Sequence, residues 1–317
     1  MGIENSKDKI NLTEGFENGL KITEDSRKAD IANEDIEIRL ILEAVRLVHG
    51  YDFTDYAEAS MKRRLRKNLD ESGLEKFSEM IPLIVHDNNF FRRFLRNISV
   101  NFTEMFRDPE FFLAIRQMVI PYLKTYPFVK IWAAGISTGE EVYSLAILLQ
   151  EEGIYNNCII YATDFNDNVL ETARKGIYSA SDMKLNTANY QKSGGKESFA
   201  LYYHADYDSV IFDSSLKKNI VFANHNLVTD GVFGEMNMVI CRNVLIYFNK
   251  KLQNHVLELF NQSLRQNGFL CLGTKESLEF STSAPLYSAV DKAVRIFKKK
   301  RNVLASDNEN ENQHECL

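Results

Sequence analysis

The chain has 317 residues, 44% of them hydrophobic, and a formal net charge of −6. That length suits one large domain, or one domain with a smaller companion, and the acidic balance gives no global argument for nucleic acid. Four cysteines (Cys158, Cys241, Cys271 and Cys316) form no C-x-x-C pair and have no histidine cluster nearby, which argues against a zinc site or disulfide framework and fits a reduced cytoplasm.

Residues 1–33 are polar and acidic and predict little fixed structure. Their opening, "MGIENS", matches a myristoylation pattern too loose to carry weight. Residues 34–100 predict a small all-helical domain. In "DIEIRLILEAVRLVHG", Ile38, Ile41, Leu42 and Val45 share one face, and Gly50 ends the helix. In the next helix Met61, Leu65 and Leu69 are spaced by four and predict the apolar stripe. Lys62, Arg63, Arg64, Arg66 and Lys67 are assigned to the other faces. Such a run is either a solvated helix face or a docking surface for an acidic partner; without interleaved aromatics it does not suit nucleic acid. Residues 101–128 predict a connector and a helix, with Asp108 as N-cap, Pro109 at the first helical position and Pro121 as terminator.

From 129 to 301 strands alternate with helices. Strands are expected over 129–134, 158–163, 220–224, 237–242, 268–273 and 293–298, and helices over 140–151, 167–175 and 250–266. This is the rhythm of an α/β doubly wound sheet. The rhythm fails over 183–215, where aromatic-rich alternating stretches predict an inserted antiparallel hairpin or small sheet. Residues 302–317 read as a disordered acidic tail. No apolar run reaches the ~18 residues of a membrane span.

Ligands of such sheets bind beyond the carboxyl ends of the strands. After the first strand, "AAGISTGEE" places Gly135 and Gly139 in a small-residue turn followed by Glu140 and Glu141. Asp164 follows the second strand, about 25 residues past Gly139, where an acid accepts hydrogen bonds from a ribose diol. The turn lacks the G-x-G-x-x-G pattern, which disfavours a nicotinamide dinucleotide, and carboxylates there would repel a pyrophosphate. A ribose-bearing, phosphate-free cation fits better, and S-adenosylmethionine is one. The plainer alternative is that both glutamates only favour the helix N-terminus, worth ~0.3–1 kcal/mol.

Four blocks, "SVNFTEMFRDPEFF", "AAGISTGEEVYSLAILL", "ATDFNDNVLETARKGIYS" and "ICRNVLIYFNKKLQ", resemble in order those of the CheR-type chemotaxis receptor methyltransferases. Members of that family transfer a methyl group from S-adenosylmethionine to chemoreceptor glutamates. The resemblance implies a class I methyltransferase sheet with an antiparallel last strand, preceded by the helical domain. It implies that Asn101, Thr103 and Arg107 line the cofactor and substrate cleft, and that Glu141 or Glu140 holds the methionine end. Asp164 is then the ribose ligand, Asn226 and Leu227 flank the adenine, and Asn243 and Val244 lie beyond the next strand. Arg107 and Tyr247 match the residues nearest the transferred methyl, and the basic helix matches the one that meets the receptor. The products are a glutamyl methyl ester and S-adenosylhomocysteine, made by a cytoplasmic protein expected to be monomeric. A glutamate is already ionised near neutral pH, so no general base is needed. A catalytically silent cofactor-binding adaptor and a methyltransferase with another substrate are the alternatives.

Overall fold

The computed structural model describes residues 33–99 and 103–301. The expectations for 1–32 and 302–317, with Cys316, and the assignment of Asn101 lie outside the described residues. The chain divides into two compact units. One holds the described residues up to Thr54 together with Lys62–Phe94; the other holds Asp55–Met61 and the described residues from Leu95 on.

Helix α1 (33–49) buries Ile38, Ile41 and Val45 and half-buries Leu42, as spaced. Gly50 stops it at φ +75°, its N–H on Arg46 O at 3.0 Å. Helix α2 (Glu58–Ser72) corrects the expected stripe. At 3.6 residues per turn, Met61, Arg64, Leu65 and Asn68 share one arc, and all four are buried. Leu69 lies off that arc and is half-buried. Arg64, expected on a solvated face, is only 6% exposed. Lys62 and Arg66 pair with Asp35 and Glu34 of α1, and Lys67 with Glu71 one turn on. The basic run is therefore largely matched by neighbouring acids. Helices α3 (Met80–His86) and α4 (Asn88–Ile98) follow.

In the second unit, α5 (Pro109–Ala114) continues through a π turn (Ile115–Val119) into α6 (Ile120–Leu123). Pro121 thus lies inside the helix it was expected to end. The π turn, closed by Ile120 N–H on Ile115 O, inserts the extra residue that absorbs the proline's missing donor. Asp108 adopts the left-handed region (φ +56°) and makes no side-chain cap bond; its carboxylate is engaged elsewhere.

The strands are β1 (Val129–Ala134), β2 (Cys158–Asp164), β3 (Ile177–Ser179), β4 (Tyr203–Asp206), β5 (Ser209–Phe212), β6 (Ile220–Asn224), β7 (Met236–Cys241), β8 (Leu264–Leu272), β9 (Tyr287–Asp291) and β10 (Ile296–Lys299). A seven-stranded sheet has the order β6-β2-β1-β7-β8-β10-β9. Its first five strands are parallel, and β10 is antiparallel to both neighbours. The order reverses between β1 and β7, so the ligand crevice of a doubly wound sheet falls there. Helices α7 (Glu140–Glu151), α8 (Asp167–Lys175) and α10 (Lys250–Ser263) connect the strands.

Several boundaries differ from expectation. Helix α10 stops at Ser263, and β8 begins at Leu264 rather than 268. Asn267 (φ +60°) and Gly268, at the expected junction of helix and strand, form an irregularity inside β8: Leu264 pairs with Met236, and pairing resumes at Phe269 with Met238. Strand β9 was not anticipated. The insertion contains a helix, α9 (Met183–Lys192), and its three-stranded antiparallel sheet, β3-β5-β4, starts at Ile177, ahead of the expected boundary. That sheet explains why α7 is buried all round from Val142 to Leu149 rather than on one face. Tyr143 of α7 packs against Tyr178 and Phe212 of the small sheet. Cys158, Cys241 and Cys271 are buried, as their apolar runs predict.

Candidate functional site

Strands β1 and β2 run in register to Ala134 and Thr163, so their carboxyl ends emerge side by side. The turn that follows β1 is folded back on β2. Gly135 N–H and Ile136 N–H both donate to Thr163 O (2.8 and 3.1 Å), and Gly139 N–H donates to Ile136 O (3.0 Å). Ser137, in the left-handed region at φ +51°, donates its N–H to Asp164 Oδ2 at 2.9 Å. A phosphate-binding turn aims such amides at the anion; here they are committed internally. Gly135 (φ +72°) has no room for a side chain, because a Cβ would lie 2.5 Å from Val244 Cγ2. Val244 therefore lies across the turn at the switch point between β1 and β7.

Asp164 is 8% exposed, and its Oδ1 accepts the Asn166 N–H at 3.0 Å. Burial pushes its pKa up to about 6 despite these amides. Its carbonyl accepts the His225 N–H at 3.1 Å, which brings the start of the 225–230 turn to the end of β2. There Asn226 Oδ1 accepts the Val228 N–H at 3.0 Å, and Leu227 is buried in the core beside Trp132. Asp164, Asn226 and Leu227 are thus tied to one corner.

The two glutamates have different surroundings. Glu140 accepts the Thr138 hydroxyl at 2.7 Å, and burial pushes its pKa up to about 7. Glu141 accepts from Arg242 Nη1 at 2.5 Å. Arg242 Nη2 reaches Asp108 Oδ2 at 2.6 Å and Arg107 O at 3.2 Å. The guanidinium lies 4.1 Å from the Phe111 ring centroid, and its side chain is 1% exposed. Two carboxylates against one guanidinium leave the cluster with a net negative charge.

Arg107 is half-buried on a connector that is firmly strapped. Phe106 N–H donates to Ser144 Oγ (2.8 Å), Met105 N–H to Asn186 Oδ1 (3.1 Å) and Asn189 Nδ2 to Met105 O (3.2 Å). Phe106 and Asp108, on either side of Arg107, are both left-handed. Thr103 is half-buried at the start of the described connector.

Beyond β7, Asn243 is left-handed at φ +60°. Val244 N–H and Leu245 N–H both donate to Glu276 Oε1 (2.8 and 2.7 Å), and Gly273 N–H donates to Glu276 Oε2 at 2.5 Å. Glu276 is 3% exposed. Tyr247 ends the 3₁₀ turn Leu245–Tyr247, half-buried, and its carbonyl accepts the Ala57 N–H at 2.8 Å.

Arg242, Glu276 and Ser137 were not singled out from sequence. Arg242 carried a usable signal, a lone cation ending the apolar strand "MVIC". Glu276, in "GTKESLEF", carried none, since only the chain's return beneath residues 243–245 gives it a role.

The CheR methyltransferase SAM binding domain matches residues 101–294, and the CheR methyltransferase all-alpha domain matches residues 36–99. The chain belongs to the CheR methyltransferase family. Among relatives, the Pseudomonas putida protein named Cher3 is 49% identical over 84% of this chain and 98% of its own. The chemotaxis protein methyltransferase of Listeria innocua is 29% identical over 72% of this chain and 85% of its own. That of Salmonella typhimurium is 26% identical over 83% and 92%.

S-adenosylmethionine is accordingly the cofactor of this CheR domain, and the site fits it. The amides of the β1 turn are turned inward, away from any phosphate, and the acidic cluster at Glu141 suits a cationic methionine end. Ser137 Oγ is buried with no hydrogen-bond partner among the described residues, a polar atom available to a ligand. The half-neutral state of Glu140 gives a stability test. Its folded pKa of about 7 exceeds the ordinary 4.5, so the folded state binds more protons and stability falls as pH rises through that window. Glu140→Gln keeps an acceptor for Thr138 but cannot ionise. It is expected to be more stable than the parent by roughly 1–3 kcal/mol at pH 8, with the gap closing toward pH 4.5. Urea melts across pH measure it.

Proposed function

We propose that this protein transfers the methyl group of S-adenosylmethionine to glutamate side-chain carboxylates of a chemoreceptor or a related signalling protein. A glutamyl methyl ester and S-adenosylhomocysteine are the products. The observation that carries this reading is the site at the β1–β7 switch point, with carboxylates at the turn and amides folded inward, in a chain of the CheR family. The relatives named chemotaxis protein methyltransferases support the acceptor class.

Bound S-adenosylmethionine supplies an electrophilic methyl on a sulfonium. The chain's own task is to align the acceptor, worth up to ~7–11 kcal/mol, and to offset its lost hydration. Thr103, Glu140, Glu141, Asp164, Asn226, Leu227, Asn243 and Val244 hold the cofactor in this reading. Arg107 neutralises the incoming carboxylate, and the Tyr247 hydroxyl orients it. Arg63, Arg66 and Lys67, exposed on α2, attract an acidic acceptor, the last two by exchanging their surface pairs with Glu34 and Glu71. Among the described residues no helix is long and apolar enough to cross a membrane; a cytoplasmic monomer belongs to the proposal.

The test is transfer of labelled methyl to a chemoreceptor cytoplasmic fragment. Label released by mild base marks a carboxyl ester. Base-stable label points to a different acceptor group, and no transfer despite bound S-adenosylhomocysteine points to a silent adaptor. Arg107→Ala is expected to lower turnover about 10²-fold, and Tyr247→Phe about tenfold, with S-adenosylhomocysteine affinity retained in the tyrosine variant.

A further inference from the structure

At the carboxyl ends of β7 and β8 lies a groove that the proposed chemistry does not use. Its walls are the 3₁₀ turn after β7, the first half of α10 and the loop after β8. Leu245, Ile246, Leu257 and Phe280 give it an apolar lining, Lys250 and Lys275 flank it, and its volume is about 200 Å³.

Three features argue that it receives a segment of another protein. First, Phe280 is 89% exposed beside a concave apolar lining, an arrangement typical of interaction sites more than of isolated surface apolar residues. Second, two lysines outnumber the one carboxylate that lines the groove. Among the described residues neither Lys250 nor Lys275 forms an ion pair, whereas the neighbouring Lys251 is matched by Asp55 at 2.9 Å. Glu276 also lines the groove, but both its oxygens accept backbone N–H groups from Val244, Leu245 and Gly273. Those carboxylate oxygens are turned to the backbone and the exposed Glu279 adjoins Phe280, so in a chain of net charge −6 the positive edge is local to Lys250 and Lys275. Third, the groove borders the turn that carries Tyr247. Ile246 lines it and Tyr247 is the next residue of the same turn, about 3.8 Å away along the chain. The walls are also braced. Gln253 Nε2 donates to Leu245 O and Phe248 O, both at 3.0 Å, and Asn254 Oδ1 accepts the Thr282 N–H at 3.3 Å.

We propose that this groove docks the acceptor protein: an apolar side chain enters between Ile246 and Phe280 while carboxylates flanking it meet Lys250 and Lys275, delivering a nearby glutamate to Tyr247. The inference rests on the protein-glutamate reading above and adds how the acceptor is chosen. Lys250, Lys275 and Phe280 are not among the residues assigned to the cofactor.

The experiment is steady-state methyl transfer to the chemoreceptor cytoplasmic fragment with the full chain. The double reversal Lys250→Glu/Lys275→Glu is expected to raise KM for the fragment about tenfold, with kcat at saturating fragment and S-adenosylhomocysteine affinity unchanged, and the gap is expected to narrow at high salt. Phe280→Ser raises KM by an increment that salt does not erase. Parent-like KM in both variants, with the parent forming base-labile label, overturns the groove and leaves the function intact. A parent that binds S-adenosylhomocysteine but labels nothing overturns both. A fall in kcat at unchanged KM assigns these residues to the chemistry and also overturns the docking role.

Discussion

Arg242→Met is expected to lower unfolding free energy by about 3–5 kcal/mol and to abolish measurable methyl transfer. The side chain it removes is 1% exposed and joins the end of β7 to two other pieces of chain: Glu141 at the start of α7, and the connector into α5 through both the Asp108 carboxylate and the Arg107 carbonyl. Methionine fills the volume and keeps contact with Phe111, so the loss is electrostatic rather than a cavity. Two carboxylates, 20% and 35% exposed, would then face each other without the cation. The cheapest relief is for one to take up a proton or swing out, and either removes the orientation of Glu141 and loosens Arg107. Arg242→Lys should rescue little, because one ammonium cannot fork to both partners. Adding Glu141→Gln to Arg242→Met should cost less than the sum of the single changes, by about 1–3 kcal/mol of coupling. Urea unfolding and labelled methyl transfer measure the two effects, and calorimetric titration of S-adenosylhomocysteine shows whether the site still binds. A variant that binds and turns over like the parent would show that the pair Glu141–Arg242 has no part in holding the site.

What was legible in the sequence follows from which signals are local. The limits of β1 and α7, and nearly those of β2, could be read because an apolar run, a small-residue turn and a helix start fall in succession, and β2 repeats the pattern with Asp164 at its end. The last strand was read over 293–298, but its antiparallel direction came only through family resemblance. Errors cluster where a local rule was overridden at a distance. Asp108 has the right type for an N-cap, but a buried guanidinium 134 residues away takes its carboxylate. Asn267-Gly268 is turn chemistry, used here inside a strand because β7 supplies the ladder on both sides of the irregularity. Arg64 was placed on the solvent side by its charge, although helical geometry puts it in the arc of Met61, Leu65 and Asn68. The site was half legible for the same reason. Asp164 closes β2 and Glu141 opens the helix after the β1 turn, positions that a local pattern marks; Arg242 directly follows β7, but its partners Glu141 and Asp108, like the Val244 and Leu245 amides held by Glu276, come from chain distant in sequence.

Glu151→Ala is expected to destabilise the protein by about 3–5 kcal/mol, and to do so where the insertion meets α7. Glu151 is almost wholly enclosed, with 2% side-chain exposure against 6% for its partner Arg116 in the π turn. Its carboxylate accepts from the hydroxyls of Tyr190 and Tyr202 and from the Lys196 N–H, so one group ties the π turn, α9 and the loop before β4 to the end of α7. Glu152 takes the other arm of Arg116 at 3.0 Å. Removing Glu151 leaves a buried guanidinium half-compensated and the Tyr202 hydroxyl without its acceptor, while Tyr190 keeps the Glu197 carbonyl at 3.1 Å; each unsatisfied group costs about 1–3 kcal/mol. Burial alone would raise the Glu151 pKa; the Tyr190 hydroxyl, the Lys196 amide and Arg116 outweigh it and hold the carboxyl below its ordinary 4.5. The stabilisation is therefore complete above pH 4.5 and lost as pH falls through the lower folded value. The gap between the parent and Glu151→Ala should narrow in strong acid and widen toward neutrality. Hydrogen exchange adds the spatial test: amides of α9 and of β3–β5 should open at lower free energy in the variant than those of β1 and β7. Uniform loss of protection across the large sheet would mean that Glu151 supports the whole unit rather than anchoring its insertion.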